Sequence, residues 1–235
     1  MSAVDKKILL LRASNELFEE EVRPFGTFQY VPIALFDVVF STCLKPNIAD
    51  FSHAFAPSRN AVRALCMRGW PQKKKLIVAG KGSAQLAASL GYQDVLVPDV
   101  ESFRGVVALL KKKDAYSGEK LLYVHGDYRR FDASAELSDF FQKVYSFRGY
   151  RLCLKHAGLR ALKRALYDRP WGVVVLSKRI ALILKRISLQ KDFLTRLSCT
   201  RFFGMSKEAL APLTGCRNFL VDDLYKEMCC DSFSI

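Results

Sequence analysis

Along most of the chain, short apolar runs alternate with segments whose apolar residues recur at helical spacing. KKILLLR (6–12) reads as a strand. SNELFEEEVRPFG (14–26) follows as a helix: Ser14 can cap it, acidic residues crowd its first turns, and Gly26 ends it. TFQYVPIALF (27–36) is extended, and Pro32 inside it marks an edge or connecting strand, because proline cannot donate to a ladder. SRNAVRALCMRG (58–69) is helical, KKLIVAG (74–80) a strand, GSAQLAASLG (82–91) a helix and YQDVLVP (92–98) a strand. SFRGVVALLKKK (102–113) reads as a helix, KLLYVHG (120–126) as a strand, SAELSDFFQKV (134–144) as a helix and YSFRGYRLCL (145–154) as extended. Then come AGLRALKRALYD (157–168, helix), WGVVVLS (171–177, strand), KRIALILKRI (178–187, helix), TRFFGMS (200–206, strand), KEALAPLTG (207–215, helix) and RNFLVDD (217–223, strand).

Strands alternating with helices of this length predict βαβ units and parallel, doubly wound sheets of the α/β class. Right-handed crossovers put the loop-bearing strand ends on one side of each sheet, where ligands bind. A faint repeat runs through the pattern. SRNAVRAL is followed, 22 residues after Ser58, by GKGSAQLAASLG, and SKRIALIL is followed, 29 residues after Ser177, by SKEALAPLTG. Two such halves predict two similar α/β domains facing each other.

Composition narrows the function. The chain has 235 residues, half of them apolar, which is enough for one large domain or two small ones. It carries 37 Lys+Arg against 23 Asp+Glu, net +14, and residues 151–201 alone hold 13 basic and 2 acidic residues. Such a balance points to a polyanionic partner: nucleic acid, an anionic surface, or a small molecule with several carboxylates or phosphates. Seven scattered cysteines without a CxxC pair point to reduced thiols and the cytoplasm. The apolar run at the N-terminus is too short for a signal peptide. WGVVVLSKRIALIL is interrupted by Lys178 and Arg179, so no membrane span is expected. His53, His125 and His156 lie at no ligand spacing, so the sequence carries no metal signature.

Candidate chemistry sits in the strand-to-helix turns. Helix N-termini present unpartnered N–H groups with partial positive charge; small residues let an anion approach, and a hydroxyl adds a donor. Ser58, Gly80 with Ser83, and Ser177 fit this role, although serine is also the ordinary cap and glycine an ordinary turn residue. Arg12, at the end of the first strand, could grip a carboxylate or pair with an acid. Asp127 with Arg129 and Arg130 form either a polar rim or a surface ion-pair cluster. His125 reads as a structural residue at a strand end.

Several short motifs follow one another in order: ILLLR ending at Arg12, VPI at Pro32, APSRNAV with Ser58 and Asn60, VAGKGSAQLAASLG with Gly80 and Ser83, LLYVHGDYRR, GYRL with Tyr150, and VVVLSKRIA with Ser177. Their order and spacing resemble the uroporphyrinogen-III synthase family. The resemblance covers most of the chain. It implies two flavodoxin-like domains joined by a two-stranded linker, with a cleft between them. Residues 1–33 with 151–235 would form one domain and 34–150 the other, the linker strands lying near 30–36 and 147–153. It implies a cofactor-free lyase that closes hydroxymethylbilane, a linear tetrapyrrole with many carboxylates, to uroporphyrinogen III with the last ring inverted. Tyr150 would be the proton donor. Arg12, Ser58, Asn60, Gly80, Ser83, Ser177 and Arg201 would bind substrate. A monomer without membrane or nucleic-acid partner is expected.

Pro57 stands where the family carries threonine, and the last turn has Ser206 and Ala209 where the family has glycine and threonine. The alternative reading is a basic nucleic-acid-binding α/β protein, which the 151–201 block favours but for which no recognition motif is present.

Overall fold

The computed structural model of the chain describes residues 6–12, 28–43, 46–112, 116–127, 133–189, 197, 199–204 and 207–220. The helix expected over 14–26 lies outside these. The described strands are β1 (Lys6–Arg12), β2 (Phe28–Ala34), β3 (Phe36–Phe40), β4 (His53–Ala56), β5 (Lys75–Val78), β6 (Val95–Leu96), β7 (Lys120–Gly126), β8 (Lys143–Leu154), β9 (Gly172–Val175), β10 (Arg201–Gly204) and β11 (Arg217–Leu220). The described helices are α1 (Arg59–Met67), α2 (Lys81–Ser89), α3 (Phe103–Lys111), α4 (Ser134–Leu137), α5 (His156–Tyr167), α6 (Lys178–Ser188) and α7 (Lys207–Leu210). They belong to two compact units, Met1–Asp37 with Cys153–Ile235 and Val38–Leu152; the chain passes between them within β3 and again within β8.

The first unit holds a parallel sheet in the order β11-β10-β9-β1-β2. Counted along the unit, that is the doubly wound order 2-1-3-4-5, whose direction of winding reverses between β1 and β9. β1 and β9 are flanked on both sides, and Ile8, Leu9, Leu11 and the three valines of β9 are buried. Continuous apolar runs are what parallel strands covered on both faces require. Each such side chain contributes roughly 1.5–3 kcal/mol. Pro32 lies in β2, the outermost strand, opposite Leu10. Helix α5 buries Gly158, Leu162 and Leu166, one residue per turn, and a side chain at Gly158 would collide with the Ala34 carbonyl.

The second unit holds a sheet in the order β3-β8-β7-β4-β5-β6. Neighbours from β8 to β6 run parallel, and the winding reverses between β4 and β7. Side chains alternate between its faces. Ala54, Ala56, Leu76, Val78, Leu122 and Val124 pack with α1 and α2. Phe55, Ile77, Leu121 and Tyr123 pack with α3 and α4.

Three expectations differ from what is found. β4, a central strand, is not marked in the sequence, because His-Ala-Phe-Ala has little β-propensity and only burial selects it. The helix expected over 134–144 ends at Leu137; Lys143 and Val144 instead pair with Lys120 and Leu121. The helix expected over 207–215 ends at Leu210, since the residue before Pro212 is driven out of the helical region. Among the described residues no helix is long and apolar enough to cross a membrane.

His53 opens β4. Its Nδ1 lies 2.5 Å from Glu119 Oε2, and its ring stands edge-on to Tyr116. Burial pulls the imidazole below its usual 6.5, more strongly than Glu119 raises it. The unfolded chain therefore binds more protons below pH 6.5, and stability is expected to fall as pH drops through that value. Denaturant midpoints at about pH 7.5 and about pH 5.5, on either side of the unfolded value of 6.5, should separate less in His53→Gln than in the wild type. Equal separations would assign the titration to another group.

Candidate active site

In the second unit the winding reverses between β4 and β7, so the turns after these strands flank a natural crevice at the carboxyl edge of the sheet. After β4 come Pro57 and Ser58. Ser58 is the extended N-cap of α1; its Oγ accepts from the Ala61 N–H at 3.2 Å. The same oxygen lies 3.0 Å from the Tyr150 hydroxyl.

Tyr150 belongs to β8, on the far side of β7. Two glycines let it reach Ser58. The β7–β8 register slips after His125↔Arg148, so that Gly126 faces Tyr150 and Gly149 is the extra residue of a bulge. A Cβ at Gly126 would lie 2.7 Å from Tyr150 Cζ and 3.0 Å from its hydroxyl, so the phenol occupies the space a side chain would fill. A Cβ at Gly149 would lie 2.6 Å from Val124 and 2.9 Å from Ala64, so the bulge is pressed against β7 and α1. The Ser41 N–H ties the Gly149 carbonyl at 2.8 Å.

His125 fixes the end of β7. Its Nδ1 lies 2.7 Å from the Gly126 carbonyl, which can only accept, so Nδ1 carries the proton. Nε2 lies 3.0 Å from Ser146 Oγ. Both nitrogens are thus used within the sheet, a structural role. Asp127 Oδ1 accepts from the Leu152 N–H at 3.3 Å. Its expected companions Arg129 and Arg130 lie outside the described residues.

The α2 turn differs from expectation. The helix starts at Lys81 with Gly80 as N-cap, and Ser83 is its third residue, buried at 8% exposure. No side chain of the turn caps it. Instead Glu101, twenty residues on, accepts from the Lys81 N–H at 3.1 Å, its carboxylate standing where a Gly80 side chain would be. Arg59 donates from Nε to the Gly82 carbonyl at 3.2 Å and brings its guanidinium to the same helix start. Asn60, the second residue of α1, is half-buried. Sequence reasoning does not single out Arg59 or Glu101. The available signals are their positions, immediately after an N-cap serine and shortly after a strand.

In the first unit the reversal lies between β1 and β9. Arg12 ends β1, and Ser177 follows β9 as the N-cap of α6, its Oγ accepting from the Ile180 N–H at 3.4 Å. Both lie at the carboxyl edge of that sheet. Arg201 does not: it opens β10, beside Gly172 and Arg217, at the amino edge, with its guanidinium 4.6 Å over Trp171. Ala209 is buried in α7, and Ser206 lies outside the described residues.

A family profile described as Uroporphyrinogen-III synthase HemD matches residues 20–194. Comparison with curated protein sequences returns no match. Among solved structures, uroporphyrinogen-III synthetase from Helicobacter pylori is similar, with a TM-score of 0.56 at 15% identity over 92% of each chain. A mutant uroporphyrinogen III synthase from Thermus thermophilus is similar too, with a TM-score of 0.57 at 12% identity, over 96% of this chain and 99% of that one. At such identities the structures establish a shared fold, while the profile spans well over half of the sequence. The chain belongs to the uroporphyrinogen-III synthase family, the cyclising lyases of haem biosynthesis.

Proposed function

We propose that the protein turns hydroxymethylbilane into uroporphyrinogen III with Tyr150 as the proton donor, without a cofactor. The observation that carries this reading is the Tyr150 hydroxyl, set 3.0 Å from the N-cap serine of α1 at the point where the sheet reverses.

The chemistry needs one proton at the start. The leaving hydroxyl departs as water, pushed by the pyrrole nitrogen electrons, and leaves an electron-poor azafulvene. Attack on it by the substituted carbon of the terminal pyrrole gives a spiro intermediate, which fragments and recloses. The last ring carbon then loses a proton, restoring the one spent. A phenol, with a reference pKa of about 10, holds its proton at neutral pH and can supply it in this step. Ser58 Oγ already accepts from Ala61, so its own proton is available for the Tyr150 oxygen. In that arrangement the phenol proton is not spent on Ser58.

Unassisted closure gives the non-inverted isomer, so the protein's larger task is to hold the bilane with the inverting attack nearer. We assign the carboxylates to the helix N-termini and basic groups at the carboxyl edges: Ser58, Asn60, Gly80 and Ser83 in one unit, Arg12 and Ser177 in the other. Glu101 shows that the α2 N-terminus accepts a carboxylate, and a substrate carboxylate bound at Gly80 must displace it. The net charge of +14 aids capture. The division into residues 1–33 with 151–235 and 34–150, the linker and cleft, a monomeric state and a cytoplasmic location are parts of the same reading. Cys43, Cys66, Cys153, Cys199 and Cys216 are free thiols, in keeping with a reducing compartment.

The test supplies hydroxymethylbilane, oxidises the products and separates the I and III isomers. Wild-type protein should shift the ratio to isomer III; a ratio equal to that without protein rejects the reading. Tyr150→Phe should slow formation of isomer III by about 10²-fold, the lower range for a lost general acid. A full rate in that variant would discard the acid assignment alone.

Gly126→Ala probes the geometry without touching the phenol. Its methyl group must displace the ring from Ser58, so the rate should fall while the helical signal in circular dichroism is retained. An unchanged rate would mean that the Tyr150–Ser58 contact is dispensable.

A further inference from the structure

The first unit has a second site, at the edge of its sheet opposite Ser177. β9, β10 and β11 start side by side there, with Arg201 between Gly172 and Arg217. The end of α5 and the turn Arg169–Trp171 close over these strand starts, and a cavity of about 440 Å³ results. Arg169, Trp171, Thr200, Arg201 and Arg217 line it, and among the described residues no carboxylate is part of the lining. Its size falls within the range of small-molecule sites.

The charge here is concentrated. Arg201 and Arg217 are partners on adjacent strands, a placement that costs energy for like charges. The Arg201 guanidinium sits 4.6 Å over the Trp171 ring, and Lys6 Nζ lies 5.5 Å from the same ring, which itself stacks on Phe203. Arg169 adds a further cation, with its backbone at φ 50, the left-handed region that favours glycine. The C-terminus of α5 also comes to this edge and brings on the order of half a negative charge. Asp168 neighbours Arg169 in sequence but is not part of the lining. Half a charge is small against the guanidinium groups of Arg169 and Arg217 alone.

We propose that this cavity binds a compact polyanion, a small molecule with clustered phosphate or carboxylate oxygens, separately from the bilane. Guanidinium forks pair with such oxygens two at a time, and Thr200 adds a hydroxyl. Two of the three arginines reach the cavity from strand starts and the third from the turn after α5, so all three cations come from backbone that the sheet and helix hold in place. The indole, held against Arg201, reports on occupancy. The site does not depend on the cyclase reading, because it is recognised by charge and shape alone.

Intrinsic fluorescence tests it. The chain has two tryptophans, and Trp70 is buried in the other unit. Inorganic pyrophosphate and citrate are titrated at constant ionic strength, each against sodium chloride. A saturable change with at least one of them, absent in Trp171→Phe, is expected, and the tighter of the two names the oxyanion class. Arg169→Gly with Arg217→Ala should weaken that binding by about tenfold or more, the loss of two charge-assisted forks. Arg169→Gly suits the left-handed backbone and Arg217 ends in the solvent-facing cavity, so an unchanged thermal midpoint in the double variant separates lost binding from lost folding. The double variant should convert bilane at the wild-type rate and isomer ratio. No saturable response to either anion, equal affinity in the double variant, or loss of bilane conversion would each overturn the proposal.

Discussion

Each described strand register in both units is parallel, and most of the architecture traces to that constraint. Parallel neighbours need crossovers, and right-handed crossovers return every helix to the same edge with its N-terminus beside the strand end it left. Ser58, Gly80 and Ser177 occupy equivalent stations for this reason: each is the residue at which a strand yields to a helix. Partial positive charge thus collects along the carboxyl edges before any side chain is chosen. The amino edge has no such rule, and cations gathered there must come from side chains alone. That makes the arginines beside Trp171 a different case from the serine turns, although both belong to one basic chain.

Legibility in the sequence follows burial. β1 and β7 are readable to the residue, because strands covered on both faces must be apolar throughout. β4 is equally buried yet unreadable, since its two alanines and histidine carry no strand preference. Ser58 and Ser177 are readable as caps, because capping is local: each bonds an N–H three residues on. The α2 cap is not, since its acceptor comes from Glu101, brought near only by the fold. The bulge at Gly149 is invisible for a related reason. It is a property of the pairing between two strands, and neither strand alone records it. Tyr150 stands out through family resemblance rather than through its own surroundings. Arg201 shows the reverse limit, because a position along the chain does not say which edge of a sheet it occupies.

The two glycines at the bulge explain how a tyrosine on β8 reaches the cap of α1 at all. A phenol on β8 must cross a whole strand to meet the helix after β4. It does so only because Gly126 leaves the space vacant and Gly149 shifts the register by one residue. Neither glycine has the positive φ that usually explains the residue; each is required by the volume a neighbour fills.

If Tyr150 is the proton donor proposed above, that placement also bears on how its phenol gives up a proton at neutral pH. Loss of the proton leaves negative charge on the Tyr150 oxygen. Ser58 can donate to that oxygen, and it is itself the N-cap of α1, where the helix presents about half a positive charge. A hydrogen bond to a charged acceptor is worth about 1.5–3 kcal/mol, against about 1 kcal/mol for a neutral one. The contact therefore strengthens as the proton leaves, which is the condition for it to favour the reaction rather than the resting state. A tyrosine packed in the same place against an apolar residue would lack this gain, so in the proposed mechanism the helix cap and Tyr150 act as one device.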